Sequence, residues 1–165
     1  MRASATLSKN LQSVLVDLLE LQLQSKQIHW NVVGTNFRDL HRQLDEINHE
    51  VRLFADQMAE RMRALEATPD GRSVTVSATT SLDALTSGEL STADAVGVIT
   101  DRLQAVVGTC RDVHDQVDEE DPTTADILHV FIEKLEQFAW MVSAENRTPQ
   151  TVKGASAKGT AKGRK

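Results

Sequence analysis

Cys110 is the only cysteine in this 165-residue chain, so an intrachain disulfide and cysteine-rich zinc sites are both excluded. A lone thiol fits a reducing, cytoplasmic setting. Any metal must be held by histidines and carboxylates, a hard donor set suited to iron, manganese or zinc. No apolar run approaches the ~20 residues that span a bilayer, and no basic-then-apolar leader opens the chain, so no membrane partner is expected. Acidic residues are missing from the end of the chain. All 24 lie at or before Glu145, together with 12 of the 18 basic residues. Beyond Glu145 stand Arg147, Lys153, Lys158, Lys162, Arg164 and Lys165, with neither acid nor aromatic among them. The body should repel nucleic acid, and the tail should be drawn to it.

What is present is helical periodicity over a length that suits one domain. Leu11, Val14, Leu15, Leu18, Leu21 and Ile28 predict a first helix from about Ser8 to Asn31. Leu19 and Leu23 add apolar surface outside that stripe, so this helix should meet more than its own bundle. Asn36, with Asp39 three residues on, predicts the N-cap of a second helix that runs to about Ala67. Its stripe is Phe37, Leu40, Leu44, Ile47, Val51, Phe54 and Met58. Residues 68–90 are polar and turn-rich, interrupted by the short apolar Leu82-Asp83-Ala84-Leu85, which predicts a long connection carrying one helical turn. Ser91 with Asp94 opens a third long helix carrying Val96, Ile99, Leu103, Val106, Cys110, Val113 and Val117. Asp121-Pro122 opens a fourth, carrying Ile127, Leu128, Phe131, Leu135, Phe138 and Met141 to about Asn146.

Connection lengths select the topology. Short links make the first and second helices antiparallel, and likewise the third and fourth. The long middle segment can run the length of the bundle, leaving the second and third parallel. One long crossover in an all-α four-helix bundle is the ferritin-like arrangement. The expected organisation is a short extension at 1–7, the bundle at 8–147 and a disordered, lysine-rich tail at 148–165.

The second helix carries the candidate site. His41 and Asp45 form an i, i+4 pair, as do Asp56 and Glu60, and the eleven-residue step between the pairs returns to nearly the same face. Along the axis that step is roughly 16 Å, whereas such ligands reach a metal at about 2.0–2.2 Å. One subunit cannot close a site with all four. Two copies crossing antiparallel about a two-fold near Glu50 would bring each His/Asp pair against the other copy's Asp/Glu pair. His29, near the end of the first helix, completes a set able to bind two ions with Glu60 bridging. Taken singly, each pair reads as a solvated helix face, and His29 as a capping or core histidine. Ferritin-type sites inside one bundle use two Glu-x-x-His motifs, and this chain offers only Glu46-x-x-His49.

His29-Trp30-Asn31-Val32-Val33-Gly34, then Phe37, Leu40-His41 and Asp45, closely resembles the first signature of the Dps family, the DNA-protecting miniferritins. Asp56-Gln57-Met58-Ala59-Glu60-Arg61 resembles the second, and Asp121-Pro122-Thr123-Thr124-Ala125-Asp126 with Trp140 resembles the last helix. The likeness spans about Leu11 to Arg147. It departs at Glu66, where Gly, Asn or Asp is usual, and at Ala55, where a larger apolar residue is usual. The resemblance implies a hollow homododecameric cage in which Fe2+ is oxidised at two-fold interfaces, preferably by hydrogen peroxide, and stored as ferric mineral. It assigns His29, His41 and Asp45 to one subunit and Asp56 and Glu60 to its mate. Trp30 would line the site, and Asp121 and Asp126 would line a three-fold pore admitting Fe2+. Asp121 also reads as a plain N-cap.

The tail lacks what sequence-specific readout needs, but its charges can neutralise phosphates of double-stranded DNA without sequence preference. A nucleoid-associated protein follows, since tails on one particle act together. The expected activity is therefore an iron oxidase and ferric store that also binds DNA through Lys153, Lys158, Lys162, Arg164 and Lys165. Two other readings compete. One is a nucleoid-compacting protein with weak or no ferroxidase activity. The other is a ferritin-like enzyme with a site inside one subunit.

Overall fold

The computed structural model describes residues 2–150. Four long helices, α1 (Ala5–Asn31), α2 (Phe37–Ala64), α4 (Thr92–Glu120) and α5 (Pro122–Ser143), are joined by a crossover that holds the short α3 (Ser73–Thr79). A 3-10 turn, Ala144–Asn146, closes the described chain. Two-residue strands β1 (Val32–Val33) and β2 (Leu90–Ser91) pair in parallel, with Val32 opposite Leu90.

This small ladder orients the bundle. It sets the end of α1 beside the start of α4. At the opposite end the Ala3 amide donates to the Leu65 carbonyl and Ser4 Oγ donates to Glu120, so the start of α1 meets the ends of α2 and α4. Helices α2 and α4 therefore run parallel, as the connection lengths predict. The interior is the expected set of stripes: Leu11, Val14, Leu18 and Leu21 of α1 meet Leu44, Ile47 and Met58 of α2, all fully buried. Phe54 stacks on Phe131 of α5 at 4.3 Å between ring centres. Burying one such side chain stabilises the fold by about 1.5–3 kcal/mol. Among the described residues, no helix is long and apolar enough to cross a membrane.

Helix ends differ from the sequence expectations where tertiary partners take over. Helix α1 starts at Ala5, three residues before the expected Ser8, because Ser4 caps it by accepting from the Leu7 amide. Asn36 holds the N-cap position of α2 in the left-handed region (φ 60°), and its side chain turns away to donate to Glu145. Ser91 does cap α4, accepting from the Asp94 amide. Helix α2 stops at Ala64 rather than Ala67, and α5 at Ser143 rather than Asn146. The short helix expected in the crossover lies at Ser73–Thr79. Asp70 organises its start by accepting from the Arg72 amide and Thr75 Oγ1. Leu82 is instead an anchor, buried against the bundle.

Candidate metal centre

His29 enters from the last turn of α1 and His41 from the first turns of α2, across the β1 turn. Gly34, at φ 125°, makes this turn possible, and a Cβ there would meet Thr92 Oγ1 at 3.2 Å. The two imidazoles stack with centres 3.6 Å apart. Each points Nδ1 at the other's main chain: His29 Nδ1 to the His41 carbonyl at 2.8 Å, and His41 Nδ1 to the His29 carbonyl at 2.9 Å. A carbonyl only accepts, so both Nδ1 atoms carry the proton. This reciprocal pair fixes both rings and leaves both Nε2 lone pairs for a metal, the usual device by which outer hydrogen bonds orient histidine ligands. His29 is 6% exposed, so its orientation is set by packing as well.

Asp45 lies one turn beyond His41, with Oδ1 3.5 Å from His29 Nδ1. It also accepts from Lys26 Nζ at 2.5 Å, and this hydrogen bond holds its carboxyl below the usual aspartate range, outweighing the opposing effect of burial. Lys26 was not singled out by the sequence reading. Its signal was there, since it precedes His29 by three residues and shares its face of α1.

Asp56 and Glu60 project from the same unbroken α2 and are exposed. Asp56 borders an open groove lined by Leu15, Leu19, Ala55 and Ala59. The small Ala55 widens this groove, and Leu19 is the residue that fell outside the α1 stripe. The structure thus gathers His29, His41 and Asp45 at one end of α2 and leaves Asp56 and Glu60 farther along it. Among the described residues, no three His, Cys, Asp or Glu side chains of a single chain converge as a metal-holding group. Glu46 and His49 are exposed in another groove with Lys134 and Phe138.

Trp30, beside His29, is 66% exposed, and Trp140 is 62% exposed, while Phe138 is buried. Cys110 is buried, and burial with the nearby Asp17 pushes its thiol up to about 12, which makes it inert.

Asp121 is buried at the start of α5. Its carboxylate is 5% exposed and accepts from Arg61 Nη2 at 2.7 Å and from Thr124 Oγ1. Burial pushes this carboxyl up, but the Thr124 and Arg61 bonds prevail and hold it low. Asp121 is thus held by Arg61 and Thr124 within its own subunit, and its side chain does not cap α5. Arg61, which follows Glu60 directly, also donates through Nε to Thr124 Oγ1 at 2.9 Å, tying the Asp56–Glu60 stretch to the start of α5. Asp126 is exposed, 3.8 Å from His129 Nδ1. The tail residues Lys153, Lys158, Lys162, Arg164 and Lys165 lie outside the described residues.

The family model of the ferritin-like domain matches residues 8–150. The DNA protection during starvation protein 2 of Deinococcus radiodurans is 35% identical over 134 residues, 81% of this chain. This chain spans only 56% of that protein's length. The DNA protection during starvation protein of Agrobacterium fabrum is 32% identical over 143 residues, covering 86% of this chain and 88% of that protein. The structure of Dps from Microbacterium arborescens in the high iron form is similar at a TM-score of 0.82 and 27% identity, covering 88% of this chain and 98% of that one.

Proposed function

This chain belongs to the ferritin-like family, in its Dps branch, and from that premise we propose that it oxidises Fe2+ with hydrogen peroxide at sites shared by two subunits. The ferric product is kept inside a homododecameric cage, and the basic tail binds DNA without sequence preference.

The observation that carries the reading is the division of donors on α2. His29, His41 and Asp45 lie together at the start of α2 and would form one half-site, with each Nδ1 engaged by a carbonyl and Nε2 left to serve as ligand, and the exposed Asp56 and Glu60 lie eleven or more residues farther along that helix. Isologous contact about a two-fold joins unlike halves of this kind, twice per pair. The donors suit Fe2+, which is the substrate here, and leave coordination positions open for the oxidant. Two Fe2+ each give one electron to one H2O2, which takes up two protons and leaves as two waters. Holding both irons together favours the paired transfer over one-electron release of hydroxyl radical. Trp30, beside His29 and exposed on the single chain, would line the completed site. Asp126, exposed and 3.8 Å from His129, is the candidate for drawing Fe2+ through a three-fold pore.

In the variants Asp56→Ala and Glu60→Ala, peroxide-dependent Fe2+ oxidation should fall at least tenfold while DNA retardation is unchanged. This split is read by stopped-flow absorbance at the ferric band and by gel shift on the same preparations. Wild-type oxidation rates in both variants would remove the proposed site.

A further inference from the structure

We infer that Glu145, in the 3-10 turn after α5, is a positioning residue for the histidine pair, bracing the start of α2 through Asn36. The inference rests on the shared-site reading above, because it concerns how one half of that site is held.

Helix α2 begins without a cap of its own. A capping side chain needs extended backbone at the N-cap, whereas Asn36 stands there at φ 60° and makes no capping bond. The start of the helix is met instead by the Glu145 carboxylate, which accepts from Asn36 Nδ2 at 3.3 Å. An anion is favoured at that end of a helix. One residue on, Asn146 Nδ2 donates to the Ala93 carbonyl at 2.8 Å and fastens the same turn to the first turn of α4. The loop between α1 and α2 already touches α4 there, with Val33 opposite Ser91 and Gly34 close to Thr92. These segments line a cleft of about 230 Å³, so polar bonds rather than close packing span it. His41 lies five residues beyond Asn36. Its ring and its carbonyl both bond to His29, so any shift of the α2 start moves the two rings together. Glu145 touches neither ring and acts through Asn36 and the helix.

The test measures peroxide-dependent oxidation against Fe2+ concentration on the full, assembled protein. In Glu145→Ala the concentration giving half the maximal rate should rise about fivefold, the effect of one hydrogen bond of ordinary net strength. The maximal rate should stay within about twofold, because a loosened ligand turn costs binding rather than chemistry. Glu145→Gln keeps an acceptor for Asn36 and should remain within about twofold of wild type in both quantities. Asn146→Ala should also raise the half-saturating concentration, and adding it to Glu145→Ala should cost less than the sum, since the two bonds form one strap. Hydrogen exchange at residues 32–40 of the metal-free protein should quicken in Glu145→Ala but not in Glu145→Gln. Wild-type half-saturation in Glu145→Ala, or an equal loss in the alanine and glutamine variants, would overturn the inference. Asp56→Ala and Glu60→Ala are the control on the underlying site. If they oxidise Fe2+ like wild type, the shared site fails. If they lose oxidation while Glu145→Ala matches wild type, only the role of Glu145 fails.

Discussion

At the scale of the residue, Glu66 carries backbone strain. It sits just past α2 at φ 60°, in the left-handed region that penalises a side chain by roughly 1–2 kcal/mol. The conformation is imposed by the way α2 ends: the Glu66 amide donates to the Arg63 carbonyl and the Ala67 amide to the Met62 carbonyl. These two bonds are the Schellman arrangement, whose left-handed position favours glycine or asparagine. The departure visible by resemblance thus has a physical cause, and it bears on the helix end rather than on a ligand. Glu66→Gly should stabilise the subunit by about 1 kcal/mol, with Fe2+ oxidation unchanged. Chemical denaturation of the assembled protein would detect this as a higher midpoint. A lower midpoint would mean that the contact of Glu66 with Arg2 matters more than the strain.

At the scale of the element, the crossover is held by one buried carboxylate. Asp17 of α1 is 2% exposed and accepts from Thr80 Oγ1, the Ser81 amide, Ser81 Oγ and Thr109 Oγ1, at 2.6–2.9 Å. Asp17→Ala should strand these donors and speed exchange of the Ser81 amide by about tenfold or more, as read by hydrogen exchange. Unchanged protection at Ser81 would show that Leu82 and the Gln24 bond to the Asp83 carbonyl suffice to anchor the segment.

The same network shows which elements could be read from the sequence. The long helices announce themselves because each buries a 3/4-spaced stripe, and α2 also carries the candidate ligands in phase with that stripe. The crossover does not, because α3 buries only Val76 and its position depends on Asp70 and Asp17, which are distant or polar partners. Caps follow the same logic. Ser91 caps locally and was legible, whereas Asn36 and Asp121 give their side chains to Glu145 and Arg61, more than fifty residues away. His41 and Asp45 are legible by their spacing and His29 by its place before the Gly34 turn and by resemblance, while Lys26 and Arg61 act across helices and leave only faint signals.

At the scale of the whole molecule, the proposed site needs two chains. Its exposed apolar residues, Leu23, Trp30, Leu53, Val74 and Trp140 among them, are more than a monomer needs to leave in water. The net charge of the body opposes DNA binding, so the proposal gives that role to the basic residues beyond Glu145. Ending the chain at Arg147 should abolish DNA retardation at moderate salt while iron oxidation continues, and unchanged retardation would assign binding to the body. The most direct test of the shared site mixes two inactive variants, His41→Ala and Asp56→Ala, and reassembles them at equal ratio. Half of the two-fold pairs are then mixed, and each mixed pair has one pocket with both halves intact. Peroxide-dependent Fe2+ oxidation should return to about a quarter of the wild-type rate. A mixture as inactive as its components would contradict the account, because it would place all five ligands within one subunit.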